Sequence, residues 1–218
     1  MATVESRPPV QPGEPAPDFT LARVPEEGTV SLANYRGKSP VLLAMFRGIY
    51  CPYCRRNIAQ LGITREKLQA VGVDTLGIVA SSTEHARLYF RFHPTRLPLA
   101  ADPEVVTHRS YGLPKPPRTP ERMQALQSAR VNPSGELPEP LPVLEASDAL
   151  DRLDGFELTE TDRADKQRVT PQLVGQFLVD RDSIVRWVNI ESAKEGEAGI
   201  GKFPTDEEIL AAARALPT

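Results

Sequence analysis

The chain has 218 residues, with 26 basic and 29 acidic side chains and a formal charge of −3, so no global field draws it to nucleic acid or to an anionic membrane. That length suits one domain with insertions and a full core, and no apolar run approaches the ~20 residues of a membrane span. The opening MATVESRPPVQPGEPAP has neither the basic start nor the apolar stretch of a secretory signal, so the expected location is cytoplasmic, where thiols stay reduced and a conspicuous cysteine pair is catalytic more often than structural.

Residues 1–16, polar and proline-rich, read as a flexible, extended leader, and 17–218 as one domain. Two short apolar runs at 19–24 and 29–32, separated by Glu and Gly, predict a hairpin. A turn at Arg36, Gly37 and Lys38 leads into VLLAMF, 41–46, a buried strand. After the cysteines, Ile58, Leu61, Leu68 and Val71 keep one helical face apolar as far as Gly72. VDTLGIVA, 73–80, is a second buried strand, and Ser82 or Thr83 is placed to cap a second helix. Residues 97–100 and 102–111 repeat a shorter strand-then-helix unit, and this alternation implies a mainly parallel sheet with helices on its faces.

Residues 113–168 break the rhythm. Their length is too great for a structureless loop, and 120–131 and 143–153 have helical spacing, so short helices laid over one side of the core are expected, at a candidate subunit contact. The acidic stretch 157–165 groups no carboxylates into an acid/base pair and reads as a solvated face. Residues 176–188 give an antiparallel hairpin turning at 180–182, and FPTDEEILAAARAL closes the chain with a helix capped by Thr205.

The stretch FRGIYCPYCRR, 46–56, holds both cysteines, Cys51 and Cys54, where a strand hands over to a helix. The partial positive charge and unpaired N–H groups of a helix N-terminus favour thiolate over thiol. Three positions on, the second thiol is one turn away and within reach of a disulfide. Pro52 suits the first helical turn. A CxxC beside a strand-and-helix pattern reads as a redox site; two alternatives are inert buried cysteines and half of a metal site shared across a dimer. The histidines His85, His93 and His108 show no ligand-like pairing with the thiols, and Trp187 suits a core or interface position.

PGEPAPDFTL (12–21), VSLANYRGKSPVLLAMF (30–46), LPLAADPEVVTHRSYGL (97–113) and GQFLVDRDSIVRW (175–187) resemble the AhpC/TSA (redoxin) family of peroxiredoxin-like proteins in the thioredoxin superfamily. That resemblance implies an α/β, thioredoxin-like fold, a central mixed sheet flanked by helices with an N-terminal hairpin and a helical insertion. It implies an oxidoreductase that reduces peroxides or disulfides with electrons from a thioredoxin-like or low-molecular-weight thiol reductant, through a Cys51/Cys54 dithiol-disulfide cycle, with no cofactor, metal, nucleic acid or membrane and with a homodimer open. The chain departs from the peroxiredoxin PxxxTxxC pattern: Cys54 matches its cysteine, Cys51 its threonine and Arg47 its proline. A later arginine of that family would fall at Val174, as would the cis-proline of thioredoxins, and the nearby Pro171 comes three residues early.

The candidate catalytic residues are therefore Cys51, Cys54, Arg47 and Arg55. Thiol exchange makes Cys51 the attacking sulfur and Cys54 the resolving one, whereas peroxidase chemistry by motif alignment makes Cys54 the sulfur that becomes sulfenic acid. Arg47, Arg55 and Arg56 are placed to stabilise a thiolate or to lie on a solvated flank, and Tyr50 and Tyr53 to shape the mouth of the site. Two other readings are a redox-switched protein-binding module, docked through the insertion, and a dimeric CxxC metal or iron–sulfur site.

Overall fold

The computed structural model describes residues 7–217. The hairpin β1 (Thr20–Val24) and β2 (Thr29–Ser31) leads to β3 (Val41–Phe46), then α1 (Pro52–Gln69), β4 (Asp74–Val79), α2 (Thr83–Phe92), β5 (Leu99–Ala101) and α3 (Val106–Ser110). The insertion follows as α4 (Pro120–Ser128), the short pair β6 (Arg130–Val131) and β7 (Leu141–Pro142), α5 (Val143–Asp154) and α6 (Glu160–Val169). The chain returns to the sheet with β8 (Gly175–Val179) and β9 (Val185–Ile190) and closes with α7 (Asp206–Arg214).

One sheet of order β2-β1-β5-β4-β3-β8-β9 organises the whole. Only β3–β4 and β4–β5 pair in parallel; β1–β2, β1–β5, β3–β8 and β8–β9 are antiparallel. The sheet is thus mixed, and the expectation of a mainly parallel one is corrected: helical crossovers link only the three middle strands, while hairpins extend both edges. VLLAMF reads as a continuous apolar run because β3 is buried on both faces. Leu42, Ala44 and Phe46 face the layer that includes Ile58, Leu61 and Leu68 of α1, whereas Val41, Leu43 and Met45 face Val10, Phe19, Leu32 and Phe177.

Two further expectations are corrected. The expected leader is docked over residues 8–16: Val10 is fully buried, its N–H donates to the Tyr111 carbonyl, and the Gly13 N–H donates to that of Val185, so this strap is hydrogen-bonded to the rest of the fold; residues 1–6 lie outside the described part. The acidic stretch 157–165 is not a solvated face throughout. It starts α6, with Thr159 and Asp162 capping each other's backbone, and Asp162 is buried against His85 at 2.8 Å. Among the described residues no helix is long and apolar enough to cross a membrane.

Candidate active site

The site forms where β3 runs out. Helix α1 begins at Pro52, and Cys51 is its N-cap with extended backbone (φ −97°, ψ 111°). The Cys54 N–H, an orphan donor of the first turn, points at the Cys51 sulfur at 3.4 Å. Both thiols are free and both are buried, Cys51 5% exposed and Cys54 not at all. Cys51 lines a cavity, a space of about 120 Å³ whose lining does not include Cys54; Cys54 is fully buried in the core.

Arg47 reaches back over this turn. Its Nε–H donates to the Cys51 sulfur at 3.4 Å, while Nη1 and Nη2 hold Glu191 bidentately at 2.7 and 2.9 Å. Glu191, just past β9, is 2% exposed. Its oxygens also accept the N–H groups of Val174 (3.2 Å) and Gly201 (2.9 Å), so its buried charge is met on every side. The planar fork is thereby fixed with one edge on the carboxylate and the other on sulfur.

The consequences fall unequally on the two thiols. Burial raises the Cys51 pKa, but a hydrogen bond from the Cys54 thiol, the charge and hydrogen bond of Arg47 and the Cys54 N–H outweigh it and bring it from 9.0 down to about 6. Cys54 goes the other way, pushed well above the ordinary thiol range by burial first and then by its hydrogen bond to Cys51 and that sulfur's negative charge. The pair therefore holds one thiolate and one thiol near neutrality, with the charge on the sulfur that meets the cavity.

The walls come from distant parts of the chain. Tyr50, Pro52 and Tyr53 flank Cys51; Val143, Leu144 and Ser147 of α5, with Leu126 of α4 and Lys166 of α6, close the far side. The insertion is thus part of the site. Tyr53 is tied to it through its hydroxyl, which donates to the Val143 carbonyl at 3.1 Å. Thr170 and Pro171, joined by a cis peptide bond, form another wall, with the Thr170 hydroxyl 3.3 Å from that of Tyr50. Pro171, three residues early in the sequence, nevertheless lines the same cavity as Cys51.

Of the sequence candidates, Cys51, Cys54 and Arg47 come together and Arg55 does not. Arg55 donates to Asp151 (2.7 Å), Asp154 (2.6 Å) and the Ile49 carbonyl (2.9 Å), with its guanidinium 3.9 Å above the Phe156 ring. It clamps α5 onto α1 rather than touching sulfur. One residue along a helix turns a side chain by about 100°, so the neighbour of Cys54 in sequence lies on another face. Arg56 likewise pairs with Glu136 and Asp154. Glu191 was missed, and no local signal marks it: NIES reads as an ordinary strand end. The shared-metal alternative meets a geometric obstacle, since a metal held between two copies needs both thiols at the surface and Cys54 has no exposure.

Fold and site together define a thiol-redox protein of thioredoxin-like architecture. The sequence profile of the AhpC/TSA family matches residues 12–138, and the chain belongs to that family. Two solved structures share the fold at low identity. Peroxidoxin BcpB from Mycobacterium tuberculosis has a TM-score of 0.58 at 14% identity, covering 96% of this chain and 99% of that one. The reduced 2-Cys peroxiredoxin of Plasmodium vivax has a TM-score of 0.61 at 16% identity, covering 95% and 82%. No curated protein sequence gives a significant match. The matched segment ends before Pro171, Glu191 and Gly201, so the portion that completes the site lies outside the family profile.

Proposed function

We propose that the protein is a thiol-dependent oxidoreductase that reduces a peroxide or a disulfide, with Cys51 as the attacking thiolate and Cys54 as the resolving thiol. The observation that carries this reading is that the sulfur on the cavity is also the one that Arg47 and the helix N-terminus hold as thiolate. With a hydroperoxide, the Cys51 thiolate attacks one peroxide oxygen, an S–O bond forms as O–O breaks, and the alcohol or water leaves with a proton. Cys54 then attacks the Cys51 sulfenic acid, the S–S bond forms, and hydroxide leaves as water with the Cys54 proton. With a disulfide, Cys51 forms a mixed disulfide and expels one thiolate, and Cys54 displaces the second. Either route ends in a Cys51–Cys54 disulfide that a thioredoxin-like or low-molecular-weight thiol reduces.

Oxidation of Cys51 also prepares Cys54. Two of the influences that raise its pKa, the hydrogen bond to Cys51 and the negative charge on that sulfur, end when Cys51 is oxidised, while Arg47 still favours a second thiolate. Stopped-flow oxidation of the reduced protein tests the assignment. Cys54→Ser should still consume one equivalent of oxidant and yield a dimedone-reactive Cys51 or a stable mixed disulfide, whereas Cys51→Ser should react no faster than an ordinary thiol. The opposite pattern would overturn the assignment, and the faster of a hydroperoxide and a small disulfide names the substrate.

A further inference from the structure

On the other side of the 168–172 segment from the thiol cavity lies a larger groove of about 710 Å³, within the range of small-molecule sites. Arg7, Arg109, Lys115 and Arg168 line it, and Glu104 is the one acid on its lining. Arg168 pairs with Asp165 at 2.6 Å and Arg7 with Glu14 at 3.7 Å. The other cations have no carboxylate partner among the described residues. Arg109 donates to the Glu104 carbonyl at 2.8 Å, Lys115 to the Arg168 carbonyl at 2.8 Å, and neighbouring Arg118 to the Thr170 carbonyl at 3.2 Å. A carbonyl satisfies an N–H but leaves the positive charge unbalanced.

That imbalance is felt within the cluster. The Lys115 ammonium is held below its ordinary range, by burial first and then by repulsion from Arg109, Arg118 and Arg168. In a chain whose formal charge is −3, Arg109 and Lys115, brought to one concavity with no carboxylate partner among the described residues, form a local anion site rather than a general basic surface. The remaining walls include Pro9, Pro103 and Pro114, rigid apolar surfaces with no N–H of their own to offer.

We propose that this groove binds a phosphorylated small molecule, whose anionic groups bridge Arg109 and Lys115 while its apolar part lies against the prolines. Guanidinium and ammonium groups converging on one volume match an anion of two or more charges better than a single carboxylate. A nucleic acid would need an extended stripe of positive charge, whereas here the carboxylate-free cations on the groove lining are Arg109 and Lys115 alone.

Calorimetric titration of the reduced full-length protein with inorganic pyrophosphate tests this. One saturable site is expected, weakened about tenfold or more in Arg109→Gln and in Lys115→Gln, the loss typical of one charge-assisted hydrogen bond. Lys38→Gln, remote from the groove, should bind as the parent does, and circular dichroism checks that each variant is folded. Three results would each overturn the proposal: no saturable binding, an equal loss in Lys38→Gln, or full suppression by sodium chloride at matched ionic strength. Tighter binding of a single-stranded oligonucleotide than of pyrophosphate would refute the small-molecule assignment. Cys51→Ser should bind pyrophosphate unchanged, so this site and the thiol chemistry succeed or fail separately.

Discussion

The double substitution Arg47→Met with Glu191→Gln tests what sets the Cys51 thiolate. Both changes are needed, because removing one partner alone strands the other as a buried charge, while the single amide oxygen of the introduced glutamine keeps an acceptor for one of the two N–H groups, Val174 or Gly201, which Glu191 meets with separate oxygens. At the 3.4 Å separation of Nε and sulfur, a charge pair at an effective dielectric of about 20 is worth about 5 kcal/mol. The Glu191 carboxylate lies beyond the guanidinium, and a charge at about twice the Nε–sulfur separation would offset about 2 kcal/mol of that. The net loss of about 3 kcal/mol corresponds to roughly two pKa units. The midpoint should therefore move from about 6 to roughly 8. Alkylation of Cys51 by iodoacetamide across pH, with the labelled peptide identified by mass spectrometry, reads that midpoint. The rate at a single pH would mislead, since a thiolate of higher pKa is the better nucleophile and partly hides the shift. A folded double variant whose midpoint stays near 6 would refute the role given to Arg47.

Glu191→Ala alone leaves buried Arg47 with only the Cys51 sulfur as partner and takes the acceptor from the N–H groups of Val174 and Gly201, so it should cost about 3–5 kcal/mol in urea denaturation; a loss below about 1 kcal/mol, the range of an exposed ion pair, would contradict the burial argument. Gly201→Ala should cost more than Gly37→Ala. Both glycines have positive φ, +77° and +70°, but a Cβ at Gly201 would sit 2.5 Å from Tyr53 Cδ1 while one at Gly37 meets open space, so equal melting temperatures would refute the clash. The reduced protein should also gain stability over Cys51→Ser as pH rises. Cys51 has a folded pKa of about 6 against an ordinary 9.0, so the unfolded chain binds more protons between these values. The gain is absent below pH 6, grows across the window, and reaches at most about 4 kcal/mol; a flat difference in denaturation midpoint between pH 6 and 9 would refute it.

What the sequence reveals here follows the range of the forces involved. VLLAMF, Pro52 and the CxxC are local signals, and they locate β3, the N-terminus of α1 and both thiols. Thr205 and Glu208 cap α7 as FPTDEEIL indicates. Thr159-x-x-Asp162 is the same kind of signal for α6, obscured by the charges around it. Glu191 is different in kind, because its meaning depends on Arg47, 144 residues away. Val10 likewise looks like a stray apolar residue among prolines until the sheet that buries it is in place. The pairing direction of β8 and β1 belongs to the topology, and strand-helix alternation in the middle of the chain did not reveal it.

The inequality of the two sulfurs bears on the oxidised protein as much as on the reduced one. A disulfide has no charge for Arg47 to stabilise, so the stabilisation of the Cys51 thiolate exists only after two electrons have entered. That gain belongs wholly to the dithiol and raises the reduction potential of the couple, making its disulfide a more willing electron acceptor. In the proposed cycle the burial of Cys54 would direct the incoming reductant: its thiolate would meet the Cys51 sulfur, and the departing Cys54 would be protonated inside the core. The protein would thereby be matched to donors whose thiol fits the cavity, with electrons entering and leaving through the same sulfur.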